Sequence, residues 1–183
     1  MHSRSKRDPA GVKFRSAEEQ DIAALHALIE SAYRGESARR GWTHEADLLG
    51  GQRTDAEALR AVIDDADQVI RIAEQKGIVH GCVQLSRVDE TTAYLGLLTV
   101  EPSLQASGLG KQLLARSEDY VRETWRCQAM EMTVIKQRAE LIAYYERRGY
   151  VRTGEYRPFP HGDPRFGLPK TDQLEFAVLR KEI

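Results

Sequence analysis

The spacing of apolar and polar positions changes several times along the chain, and each change marks an element. Val12 to Arg15 reads as a short strand. Ser16 followed by Glu19 has capping-box spacing ahead of an apolar period at Ile22, Leu25, Ile29 and Ala32, which predicts a first helix. After a polar, glycine-punctuated segment from Gly35 to Arg53, Thr54 with Glu57 repeats that spacing before Leu59, Val62 and Ile63. A short second helix is expected there.

From Gln68 the period falls to two. Val69 to Ala73 and Ile78 to Val88 flank Lys76-Gly77, which predicts a hairpin with a tight turn, and Thr92 to Val100 continues the meander up to Pro102. Beyond Gly108 a helical stripe runs through Leu109, Leu113, Leu114, Tyr120, Val121 and Trp125. Met130 to Ile135 is a strand, Arg138 to Arg148 a helix ended by Gly149, Tyr150 to Tyr156 a strand, and Leu174 to Leu179 a last strand that closes the sheet. The resulting order, β-α-α-β-β-β-α-β-α-β-β, predicts an α/β protein with a mixed sheet and helices on its faces. One domain over residues 12–183 is expected, preceded by a basic tail, residues 1–11, with Arg4, Lys6 and Arg7.

Composition narrows the function classes. A chain of 183 residues can bury one sizeable core. Its 27 basic and 28 acidic residues give a net charge of -1, so no nucleic-acid partner or anionic lipid surface is implied. No apolar run approaches the roughly 20 residues that span a bilayer, so no membrane association is expected. Cys82 and Cys127 have neither a disulfide nor a metal spacing, which fits a reducing cytoplasm. His2, His26, His44, His80 and His161 are scattered without a second ligand at a useful distance, and no metal is expected.

The chemistry concentrates in Gln105-Ala106-Ser107-Gly108-Leu109-Gly110-Lys111, where a strand ends and a long helix begins. Backbone N–H groups in the first turn of a helix have no intrahelical acceptor, and the helix dipole favours an anion there. Gly108 and Gly110 let the backbone approach a phosphate, and Lys111 adds a charge. Taken alone, the heptad is equally readable as a tight strand-to-helix joint. Leu113 stands where a dinucleotide fingerprint needs a third glycine and Gln112 where a P-loop needs Ser or Thr, so neither nucleotide motif fits.

Context resolves the ambiguity. Val100-Glu101-Pro102 precedes the heptad, and Tyr145-Glu146-Arg147-Arg148-Gly149-Tyr150 follows downstream. Together these resemble the GNAT superfamily of acyl-CoA N-acyltransferases, whose signature is Val-x-Pro, then Gln or Arg, two residues, Gly, one residue, Gly, and later Tyr-Glu-x-x-Gly-aromatic. The resemblance covers nearly the whole chain from Val12. It implies acetyl-CoA as co-substrate, with Leu98, Thr99 and Val100 offering backbone to the pantetheine arm and Gln105 to Lys111 (Gln105, Ala106, Ser107, Gly108, Leu109, Gly110, Lys111) cradling the pyrophosphate. Tyr145 aligns with the family's general acid to the departing thiolate, and Tyr144 is its neighbour about 100° around the helix. Thr133 occupies the position that often carries a catalytic glutamate. Glu131, two residues earlier on the same strand face, is the candidate base. Arg138 stands where the family often has a cofactor-binding asparagine.

The acceptor implied is an amine on a small metabolite, peptide or protein. It would be framed by the two long connections. The first holds Tyr33, Trp42 and Glu45, the second Phe159, His161 and Phe166. Trp42, Glu45, Phe159 and His161 are the acceptor-site candidates. The alternative is a non-catalytic coenzyme A-binding sensor or interaction domain of the same fold. A homodimer through an exposed final strand is a further expectation.

Overall fold

The hairpin turn at Lys76-Gly77 forms as the sequence predicts, with φ of 52° and 78° at the two residues, the left-handed pair that matches strand twist in a two-residue loop. The computed structural model describes residues 11–33, 49–50, 54–159, 168–169 and 173–183. The elements in chain order are β1 (Lys13–Ser16), α1 (Ile22–Tyr33), β2 (Leu49–Gly50), α2 (Ala56–Asp64), β3 (Gln68–Gln75), β4 (Ile78–Arg87), β5 (Thr92–Val100), α3 (Leu109–Thr124), β6 (Ala129–Ile135), α4 (Ala139–Glu146), β7 (Val151–Pro158), β8 (Leu168–Pro169) and β9 (Glu175–Glu182).

Seven strands form one mixed sheet in the order β1-β3-β4-β5-β6-β9-β7, while β2 and β8 pair separately. Among the described strands only β5 and β6 run parallel to each other, and they pair briefly, from Thr92 opposite Ala129 to Tyr94 opposite Glu131. Beyond Tyr94 the two strands part. On its other side β5 carries a bulge: Cys82 faces Thr99 while Gln84 faces Gly96, and Leu97 takes a φ of 51°. An extra residue of this kind bends the strand and leaves part of its backbone unpaired.

The apolar residues fall into two main clusters on opposite faces of the sheet. Leu85, Leu95, Leu113, Leu114, Met130, Met132 and Ile142 pack under α3 and α4. Leu25, Ile29, Leu59, Ile70 and Ile72 pack under α1 and α2. Each fully buried Leu or Ile contributes about 1.5–3 kcal/mol.

Three expectations need correction. The turn into α1 is capped by Glu18 with Asp21, not by Ser16 with Glu19. The buried Asp21 carboxylate accepts from the Glu18 amide and from the Arg15 guanidinium, a pair of donors that Ser16 cannot attract. Likewise α2 is capped by Asp55, which accepts from the Ala58 amide at 2.7 Å, and the Thr54 amide donates instead to Glu30. Finally, the last strand is not exposed. β9 sits between β6 and β7, and its consecutive Ala177, Val178 and Leu179 are all buried, as a strand covered on both sides requires. The sheet edge is β7, so the final strand offers no free edge to a second copy.

Candidate functional site

The segment from Gln105 to Lys111 turns back on itself before α3. Ala106 and Gly108 both have positive φ, 75° and 88°, and Gly108 is the residue that starts the helix. Gln105 braces the turn by donating from its side-chain amide to the Val100 carbonyl at 3.1 Å. The Gln112 amide donates to the Gly108 carbonyl at 3.1 Å, closing the first helical turn. The amides of Gly110 and Lys111 lie before that bond, where helix geometry gives them no acceptor.

A cavity of about 580 Å³ opens beside this turn, lined by Gln105, Ala106, Gly108, Gly110 and Lys111 on one wall and by Tyr144, Tyr145, Arg147 and Arg148 on the other. Leu98 and Val100 form its floor. Ser107 and Leu109 are not in the lining: Leu109 is buried in the core, and the Ser107 hydroxyl lies 3.4 Å from the Leu109 amide. Thr99 is also excluded from the lining. It is fully buried and donates from its hydroxyl to the Leu97 carbonyl at 2.7 Å, stapling the bulge.

Two features fit this cavity to a phosphorylated ligand. A Cβ at Gly110 would reach into it, 3.1 Å from the Tyr144 hydroxyl and 3.5 Å from Val100, so a side chain there would intrude on the cradle. Arg148 stacks its guanidinium 3.4 Å from the centre of the Tyr144 ring and donates to the Tyr144 carbonyl, while its buried Nε has no partner among the described residues. A buried donor left unpaired favours an acceptor from outside.

A second cavity, about 480 Å³, lies on the α1/α2 side of the sheet where β5 and β6 part. Tyr33, Leu98, Leu141 and Tyr145 line both cavities, so the two meet at the splay. The Tyr33 hydroxyl donates to the Leu98 carbonyl at 2.5 Å, fixing the bulged backbone where they join.

Tyr145 is buried at this junction, edge-on to Tyr144 and Tyr150. Burial pushes its phenol well above the ordinary range, Tyr33 and Tyr144 add to the effect, and Arg138 opposes it. Tyr145 therefore keeps its proton throughout the neutral range. Tyr144 is raised more modestly, by burial against the opposing charge of Arg148.

The other candidates are dispersed. Arg138 precedes α4 and lines the second cavity, not the first. Glu131 lines neither: its carboxylate accepts from Arg157 at 2.8 Å and lies 4.0 Å from Arg180. Thr133 does line the second cavity, and its hydroxyl is bonded to that of Tyr94 at 2.6 Å. Phe159 is buried against Phe176, their ring centres 5.4 Å apart, and it is Phe176 that reaches the cavity wall. Trp42, Glu45 and His161 lie outside the described residues. Tyr94 and Gln84 line the second cavity and Tyr144, Arg147 and Arg148 the first without any role expected for them from the sequence. For Arg147 and Arg148 the signal was present, since both fall inside the Tyr-Glu-x-x-Gly segment.

Among the described residues no helix is long and apolar enough to cross a membrane, and no three His, Cys, Asp or Glu gather as metal ligands.

No curated protein matches the sequence significantly. Solved structures match its fold. The ribosomal-protein-S18-alanine N-acetyltransferase of Escherichia coli superposes with a TM-score of 0.69 at 16% identity, covering 94% of each chain. YncA of Salmonella typhimurium, solved with its cofactor acetyl-CoA, gives 0.69 at 20% identity and again 94% of each chain. A chimera of the spermidine N-acetyltransferase SpeG from Vibrio cholerae gives 0.68 at 15% identity, covering 94% of this chain and 96% of its own. The description of the acetyltransferase (GNAT) family matches residues 23–150, most of the chain including the turn from Gln105 to Lys111 and Tyr145, and the protein therefore belongs to the GNAT family of acetyltransferases.

Proposed function

We propose that the protein is an acetyl-CoA-dependent N-acetyltransferase in which an amine attacks the acetyl group directly at the junction of the two cavities. The observation that carries this reading is that junction: a phosphate-suited cavity and a second chamber share Tyr145 and the unpaired stretch of β5. Bound acetyl-CoA supplies an acetyl thioester whose C–S bond breaks as the new C–N bond forms.

The chain's own residues divide the work. The amides of Gly110 and Lys111, with the Lys111 side chain, would hold the pyrophosphate. Arg147 and Arg148 line the same cavity and add charge for the remaining phosphate. The backbone of Leu98 to Val100 would align the pantetheine arm beside the splay. Tyr145 presents its O–H to the departing sulfur. Its phenol, kept protonated by burial, is placed to donate that proton to the thiolate as general acid. The proton lost by the acceptor nitrogen leaves through the second chamber to water.

Glu131 serves this reading as an anchor between strands, since two arginines already neutralise its carboxylate. Arg138, at the chamber wall beside Tyr145, faces the acceptor. Cys82 and Cys127 are both buried and free, which supports a reducing cytoplasmic setting.

Thiol release from acetyl-CoA in the presence of an amine panel tests the activity, and Tyr145→Phe tests the site. The substitution is expected to lower kcat roughly 100-fold while acetyl-CoA affinity changes by less than about threefold. Unchanged kcat would remove Tyr145 from the mechanism. Acetyl-CoA binding without acceptor-dependent thiol release would favour the non-catalytic reading.

A further inference from the structure

Where β5 and β6 part, the sheet carries a bonded pair of hydroxyl groups. Backbone pairing between the two strands stops at Tyr94 opposite Glu131. Thr133 is the next residue on the Glu131 face of β6, and its hydroxyl meets that of Tyr94 across the gap at 2.6 Å. Both residues line the second cavity and both are half-buried, so the bridge between the parted strands is reached from the chamber. The Tyr94 ring lies close to β5 over Gly96, where a Cβ would sit 3.3 Å from the ring's Cε1, and bare backbone there gives the ring its place. Tyr94 also stands near the junction of the two cavities. Burial first, and then the phenols of Tyr33, Tyr144 and Tyr94, raise Tyr145, with Arg138 opposing them.

A hydroxyl has one hydrogen to donate and two lone pairs with which to accept. Two hydroxyls joined by a single bond therefore keep a further hydrogen and further lone pairs for other partners, whichever of them donates. Such a pair can take a proton at one end and release one at the other while neither oxygen ends charged. An amine attacking a thioester needs a partner of this kind. Its nitrogen turns positive as the C–N bond forms, and a proton must leave it before the amide is complete.

We infer that Tyr94 and Thr133 form a proton relay for the acceptor amine, Tyr94 touching the nitrogen and Thr133 delivering the proton to water. This rests on the acetyl-transfer reading of the same site. The nitrogen lone pair forms the C–N bond, and the C–S bond breaks with its electrons moving to sulfur, which takes the Tyr145 proton. The nitrogen's proton passes to Tyr94 Oη as the Tyr94 hydrogen passes to Thr133 Oγ1 and the Thr133 hydrogen to water. Both hydroxyls end neutral. The proton in water returns to Tyr145 once the thiol has left, so the step needs no further reactant.

The full chain is assayed for thiol release from acetyl-CoA with glycinamide, L-phenylalanine amide, Nα-acetyl-lysine amide and spermidine, and the fastest of these is carried to the variants. Tyr94→Phe and Thr133→Val should each lower kcat about 100-fold at pH 7, with acetyl-CoA affinity by calorimetry within about threefold of the parent. The double variant should lie within about threefold of either single one, because one broken link stops the relay. Thr133→Ser keeps the hydroxyl and should recover at least about 10-fold of the loss seen with valine. Raising the pH from 7 to 9 should narrow the deficit of the single variants by about 10-fold or more, since hydroxide then takes the nitrogen's proton directly. The ionisable groups about the pair are Tyr33 of α1, Asp55 at the start of α2, Arg138 and Tyr145 at α4, and Glu131 with Arg157 and Arg180 on the sheet. Parent and variants share them all, so their titration cancels in the ratio of rates. A hydroxyl pair that only ties the strands would leave a deficit of the same size at both pH values. That result overturns the relay, as does a kcat within threefold of the parent in either single variant, and acetyl transfer survives both. A parent protein that releases thiol with none of the four amines, or that fails to bind acetyl-CoA, overturns the relay together with the transfer reading.

Discussion

Gly110→Ala tests the proposed phosphate-binding role of the turn before α3 because stability and binding should move in different directions. Gly110 is the second residue of α3, and alanine within a helix is favoured over glycine by about 0.5–1 kcal/mol. Against this gain, the new Cβ lies 3.1 Å from the Tyr144 hydroxyl, a contact relieved when that side chain gives by a few tenths of an ångström. The unfolding free energy should therefore stay within about 1 kcal/mol of the parent protein. Binding has no such compensation. The methyl group enters the cradle and displaces the ligand from the amides that charge-assisted hydrogen bonds, worth about 1.5–3 kcal/mol each, would use. Losing one predicts acetyl-CoA affinity lower by about 10- to 100-fold. Urea denaturation and calorimetric titration with acetyl-CoA measure the two effects side by side. A folded variant whose affinity lies within threefold of the parent would show that this turn does not hold the phosphates. Gly108→Ala is the contrasting control: at a φ of 88° the added Cβ costs about 1–2 kcal/mol of stability.

Two further substitutions probe the carboxylates. Glu131→Gln keeps the shape of the side chain but not its charge, so kcat should change by less than about threefold while unfolding becomes easier by about 1 kcal/mol. A loss of kcat near 100-fold with intact acetyl-CoA binding would restore Glu131 as the base. Asp21 is held below the ordinary carboxylate range, chiefly by its hydrogen bonds to Arg15 and further by the Glu18 amide, with burial opposing. A depressed folded-state pKa contributes stability above the unfolded value of about 3.9 that is lost as pH falls through the folded value. Asp21→Asn should therefore cost about 1–3 kcal/mol at pH 7 and progressively less below about pH 4, as urea titrations at pH 7 and pH 3 would show. An equal cost at both values would place the effect in packing instead of charge.

Much of the donor side was legible in the sequence because its determinants are local. A turn that demands positive φ shows itself as Lys76-Gly77 or Gly108, and a helix that ends at a left-handed residue shows Gly149, whose φ is 95°. The strand boundaries at Thr92 and Val100 agree with the structure to the residue, since Pro102 and the change of period fix them. The helix caps were misplaced because the spacing Ser or Thr, two residues, Glu occurs in more than one register. Which carboxylate wins depends on Arg15, six residues before Asp21 and on another element, and on Glu30, far from Thr54 in the chain.

The acceptor side depended on tertiary structure throughout. Glu131 and Thr133 share a strand face, as period two requires, yet only Thr133 reaches the chamber, because β5 still pairs with β6 at Glu131 and has departed by Thr133. The two arginines that hold Glu131 come from β7 and β9, and the insertion of β9 between its neighbours is what delivers them. Tyr144 and Tyr145 are adjacent in sequence, but Tyr145 alone lies where the two cavities meet, while Tyr144 stands over Gly110 under the Arg148 guanidinium. By itself the sequence determined the strand and helix order, the anion-suited turn and the family, because backbone conformation and short-range spacing encode them. Only the folded chain decided which side chains line the second cavity and which carboxylates are spent in ion pairs, because those outcomes depend on contacts between residues far apart in the chain.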